Sequence, residues 1–163
     1  MNQVQDFKNL LLQSIKHLQV LKTCLEEEER LLSQRDLEAL EACTQRKQAA
    51  LQQVHTDIDT RRDFLQAQGQ EASEAGVQAW LADQDPKLAQ ALGKGWAQLV
   101  KLLSQVHQHN KQNGILVMRA QQQVGVLLNL VKNSQGGTPS SGKVYSAKGA
   151  SRDVNNGRTL GSA

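Results

Sequence analysis

Apolar residues recur along the N-terminal part of this chain in steps of three and four. Val4, Leu11, Leu18, Leu25 and Leu32 stand seven apart, with Phe7 and Leu21 at the alternate heptad positions. That spacing is what a helix needs to pack along partner helices. Leu10, Leu12 and Ile15 widen the stripe beyond a two-helix seam, which suits a globular bundle. The pattern predicts a first helix over residues 4–32. It breaks at Ser33-Gln34-Arg35-Asp36, where Ser33 and Asp36 read as a capping pair. A second helix over 36–67 follows on Leu37, Leu40, Leu51, Val54, Ile58 and Leu65, with Phe64 beside them. Thr44, Lys47 and Arg61 interrupt its seam, and long cationic side chains can bury their stems at a seam edge. So short a reversal predicts antiparallel neighbours. Gly69 reads as a C-cap and Ser73 as an N-cap. Between them and Asp85, Val77, Trp80 and Leu81 form one short apolar face, with Trp80 a plug for the hairpin.

The longest stretch runs from Asp85 to Lys132. Asp85-Pro86 is a helix start, an N-cap acceptor followed by proline at the first helical position. Leu92, Trp96, Leu99, Leu103 and Val106, then Val117, Ala120, Val124, Leu127 and Val131, keep the heptad. The same register puts Asn110 and Asn113 on the apolar seam, where amides are costly unless hydrogen-bonded. Residues 86–132 as one helix would span roughly 70 Å, against roughly 45 Å for each helix of the hairpin. Either the chain breaks near Asn113-Gly114 and folds back into a four-helix bundle, or its second half overhangs. A continuous helix is expected, because a helical glycine costs only ~1 kcal/mol and no proline follows. An overhang would expose Val117, Val124, Leu127, Leu128 and Val131, and exposed apolar stripes of that size mark interaction surfaces. Asn110, Asn113 and Gly114 then have a local structural role where the packed core ends.

Composition agrees with an all-α chain: an antiparallel helical hairpin plus one long C-terminal helix, as an elongated three- or four-helix bundle. Aromatic residues make up 3% and there are two prolines. From Ser134 the sequence turns to Gly, Ser, Asn and Lys/Arg, which cannot bury enough surface to fold. The expected organisation is a bundle over 1–133 and a disordered basic tail over 134–163. Residues 1–133 are balanced in charge. The surplus of +3 lies in the tail, where Lys143, Lys148, Arg152 and Arg158 face only Asp153. No basic face, aromatic platform or motif suggests nucleic acid. No apolar run approaches the ~20 residues of a membrane-spanning helix, and no secretory signal is expected.

The chemistry of catalysis is not foreseen. Gly93 and Gly95 lack the preceding strand of a dinucleotide fingerprint. His107 and His109 point to different helix faces and cannot share a metal as an i, i+4 pair would, and His17 and His55 are isolated. Cys24 and Cys43 read as free thiols on helix flanks, with a disulfide the alternative, and Glu26–Glu29 as mostly a solvated face. Neither an enzyme nor a cofactor or metal is expected. An amphipathic helix with a disordered tail, in which Val144 and Tyr145 are an apolar pair, suits a binding protein with a helical partner.

Several segments together resemble the FlgN-type flagellar export chaperones. They are Leu25-Glu26-Glu27-Glu28-Glu29-Arg30-Leu31-Leu32, Asp36-Leu37-Glu38-Ala39-Leu40 with Lys47 and Leu51, Trp96-Ala97-Gln98-Leu99, and Asn110-Lys111-Gln112-Asn113-Gly114. Tyr145-Ser146-Ala147-Lys148-Gly149 is similar to the family's tyrosine–glycine tail element, with Ser146 where glycine commonly follows the tyrosine. The resemblance implies a cytoplasmic chaperone of the hook–filament junction proteins FlgK and FlgL. It would hold their helical termini, prevent premature association and deliver them to the type III export gate. Substrate binding would fall on Val117, Ala120, Val124, Leu127, Leu128 and Val131, and docking at the export-gate protein FlhA on Tyr145. The alternative is a purely structural helical homodimer or adaptor with no client. A free chaperone could also pair with itself through the same stripe.

Overall fold

The computed structural model describes residues 2–135. They form four helices: α1 (Gln3–Gln34), α2 (Leu37–Ala67), α3 (Glu74–Ala82) and α4 (Pro86–Gln135). Among the described residues there is no strand. The chain divides after Gln122 into two compact units. The first is the helical bundle; the described part of the second is the end of α4 over 123–135.

The boundaries follow from local chemistry. α1 runs on to Gln34 and ends at Arg35, whose left-handed backbone (φ 56°) lets its N–H and that of Asp36 reach back to the carbonyls of Leu31 and Leu32. Ser33 does not join a capping box: its hydroxyl donates to the Glu29 carbonyl inside α1. Asp36 alone starts α2, accepting the Ala39 N–H at 3.1 Å. Gly69, at φ 72°, lets the chain leave α2. Ser73 accepts the Gly76 N–H to open α3, and Asp85 accepts those of Lys87 and Leu88 ahead of α4.

Contacts fix the helix directions in the first unit. His17 meets Asp57, Cys24 meets Cys43, and Glu27 meets Arg46, so α1 and α2 are antiparallel. Leu11 lies beside Gly95 and Leu25 beside Asn113, so α4 runs parallel to α1. The core lies between them: Phe7, Leu11, Leu18, Leu21 and Leu25 of α1, Val54 and Leu65 of α2, and Leu92, Trp96, Leu99, Leu102 and Val106 of α4. α3 closes one end. Trp80 is buried with Phe7 at 4.6 Å and Phe64 at 5.4 Å between ring centroids. Edge-to-face and tilted rings at such distances add to area burial. Trp96 ties α4 to its neighbours: its indole N–H donates to Glu74 at 2.7 Å, and the Arg61 guanidinium lies 5.3 Å above the ring. The surrounding apolar side chains pull the Arg61 pKa below its ordinary value, against the opposing pull of Asp57.

Both cysteines are free and buried in the α1–α2 seam rather than on helix flanks, with the Cys43 thiol 3.4 Å from the Cys24 carbonyl oxygen. Heptad spacing does not separate an inner from an outer flank when a helix has neighbours on two sides.

Candidate functional site

α4 is one helix of 50 residues and passes through Asn113-Gly114 without a break. A Cβ at Gly114 would meet nothing within 4 Å, so no close packing there calls for glycine. Its buried line runs Leu92, Leu99, Val106, Asn113, strictly seven apart. Asn110 is not on it. Three residues before Asn113 lies roughly 60° round the helix, and that side faces solvent. His109, on the opposite flank, turns to α1 and meets Glu29 at 2.8 Å.

Asn113 is 1% exposed. Its side-chain NH2 donates to the Leu25 carbonyl at 2.8 Å and to Glu28 Oε1 at 2.9 Å. Lys47 Nζ from α2 donates to both Glu28 oxygens at 3.0 Å. The Glu28 carboxylate is therefore held by α2 and α4 together, as a buried carboxylate must be. Asn113 Oδ1 has no partner among the described residues. The expectation of a mostly solvated Glu26–Glu29 run holds for Glu26 and Glu29, which are exposed, and fails at Glu28, which is buried. Successive helical residues point about 100° apart, and three neighbours go three ways: Glu27 to Arg46, Glu28 to Lys47 and Asn113, Glu29 to His109. The interruption of the α2 seam by Lys47 was the visible half of this cluster.

Beyond Asn113 the polar cluster gives way to apolar surface. Val117 is half-buried and Ala120 exposed. In the second unit Val124, Leu127, Leu128 and Val131 are between 52% and 61% exposed. Sequence reasoning missed Val126 and Leu130, which are equally exposed. They lie on the next face of the helix, away from the heptad line of Val124, Leu127 and Val131 and from Leu128 beside it, although each is a large apolar residue in a segment with little charge. Tyr145 lies outside the described residues. Among the described residues, no cluster of three His, Cys, Asp or Glu side chains could hold a metal. No described helix is long and apolar enough to cross a membrane.

The arrangement can do one kind of chemistry well, the burial of apolar surface against another chain. Comparison with known proteins bears on which chain. No curated protein matches the sequence. A crystal structure from Pseudomonas aeruginosa, described as a flagella synthesis protein FlgN, is similar over 75% of this chain and 92% of that one. The two share 25% sequence identity and superpose with a TM-score of 0.61. The sequence model of the FlgN protein family matches residues 1–153. The chain therefore belongs to the FlgN family, a chaperone-type family of flagellum biogenesis.

Proposed function

We propose that this chain is a cytoplasmic export chaperone for the hook–filament junction proteins FlgK and FlgL. The end of α4 holds an amphipathic helix from a client terminus, keeps it from associating early and releases it at the type III export gate. No ATP is involved. Residues 1–133 act as the chaperone body, and residues 134–163 act as a tail that meets FlhA through Tyr145. The observation that carries this reading is the row of Val124, Leu127, Leu128 and Val131, all more than half exposed on one helix of a FlgN-family chain. Covering such a row yields about 25 cal/mol per Å² of apolar area before the costs of association.

The experiment is co-purification with the helical terminus of FlgK or FlgL. Val124→Asp together with Leu127→Asp abolishes the complex while far-UV circular dichroism keeps its helical signal. Client binding that survives the double substitution would place the site elsewhere. A tight homodimer that ignores both junction proteins would favour the structural-dimer reading.

A further inference from the structure

In the first unit, α1 and α4 leave an open groove between them. It holds about 430 Å³, and its apolar surface comes from Leu11, Leu12 and Ile15 of α1 and Leu88, Ala91 and Gly95 of α4. No residue of α2 lines it. The groove exists because α4 presents small side chains there; even a Cβ at Gly95 would already touch the Leu11 side chain at 3.4 Å. Leu12 is 57% exposed and Leu88 45%. The α1 wall runs from Val4 to Ile15, roughly 17 Å or about three turns of helix.

The edges of the groove are cationic. Lys8 lines it directly. Lys16 lies roughly 40° from Leu12 round α1, and Lys87 and Lys94, seven apart on α4, lie within roughly 60° of Ala91. All four lysines are exposed, and none forms an ion pair among the described residues. No aspartate or glutamate lines the groove. The nearest acids in sequence do not offset this charge. Asp6 lies roughly 160° from Lys8 round α1, and the Asp85 carboxylate is held by the N–H groups of Lys87 and Leu88.

That charge selects the occupant. A second copy docked groove to groove would set lysine against lysine. The chain's own segment after Ser134 carries Lys143, Lys148, Arg152 and Arg158 against Asp153 alone. A bilayer is flat where this surface is concave. An apolar helix edged with carboxylates matches the groove in shape and in sign. We propose that the groove between α1 and α4 is a docking site for an amphipathic helix of a partner protein, with Asp or Glu on both flanks of its apolar stripe. That helix covers Leu12 and Leu88. Its carboxylates meet Lys8 and Lys16 along one edge and Lys87 and Lys94 along the other, as flanking positions do between paired helices. The site lies in the first unit and the row assigned to the client in the second, so neither reading depends on the other.

The test uses the full chain and two labelled peptides of about 18 residues with the same leucine face. One carries glutamate on both flanks of that face, the other lysine. Fluorescence anisotropy shows saturable binding of the glutamate peptide, weaker at high salt. Lys8→Glu with Lys94→Glu weakens it about tenfold and lets the lysine peptide bind instead. Leu12→Ser weakens the glutamate peptide as well. These side chains are exposed, so far-UV circular dichroism and FlgK co-purification are unchanged in both variants. Equal affinity for the two peptides, no binding of either, or binding lost only in the Val124→Asp, Leu127→Asp chain overturns the proposal. Capture of the chain by phosphatidylglycerol vesicles while the glutamate peptide fails to bind overturns it in favour of a membrane contact. If the groove substitutions release FlgK, the separate site fails and the groove belongs to client binding.

Discussion

At the scale of single residues, Glu28 has few neighbours able to hold its charge, and Lys47 is the cationic one. Removing the cation with Lys47→Met leaves a buried carboxylate with only an amide, and the expected loss is about 2 kcal/mol or more in urea unfolding. Adding Glu28→Met to Lys47→Met recovers much of that loss, because the orphaned charge goes too; a double-mutant cycle reads the coupling. Asn113→Ala removes both amide hydrogen bonds and costs about 1–2 kcal/mol in the same assay. Arg35 lies at the other extreme. It occupies a left-handed position with φ 56° where glycine is at ease. Arg35→Gly raises the unfolding midpoint, by about 0.5–1 kcal/mol in stability, with the fold unchanged.

At the scale of elements, α3 is nine residues long, too short to hold itself together in water. It persists because Val77, Trp80 and Leu81 are buried against the hairpin. Trp80→Ala empties the Phe7–Phe64 site and costs about 3–5 kcal/mol. Gly76 has a different duty: a Cβ there would collide with the Glu71 carbonyl oxygen. Gly76→Ala forces the connector away from α3, and amide exchange over 74–82 speeds up before the rest of the bundle is affected. Most of these elements were legible in the sequence. The apolar spacing and the turn residues Asp36, Gly69, Ser73 and Asp85-Pro86 place every helix start or stop within a few residues. The partners of Glu28 were not legible, because they lie 19 and 85 residues away and depend on the rotational phase of three helices. Asn110 illustrates the same limit: a heptad count cannot tell Asn110 from His109 until the neighbouring helix is in place.

For the molecule as a whole, the candidate surface was half legible. A heptad reading finds the residues that continue the buried line of α4 and passes over Val126 and Leu130, since it assumes one partner per helix. The two thiols connect chemistry to global stability. Burial pushes the pKa of both Cys24 and Cys43 above the ordinary value of 9.0, with nearby Glu27 and Glu28 adding to it and Arg46 opposing. The folded chain thus binds these protons more tightly than the unfolded one. Their contribution is fully present below the unfolded thiol pKa and is lost as pH rises from there through the higher folded one. The urea midpoint should therefore fall above about pH 9, and less steeply in a Cys24→Ala, Cys43→Ala chain. The same burial has a use at neutral pH. Neither thiol reacts with a disulfide reagent until α1 and α2 part, so the labelling rate counts how often the hairpin opens. The chain carries its own clock for breathing, and running it with and without a client would show whether occupancy at the end of α4 is felt in the hairpin.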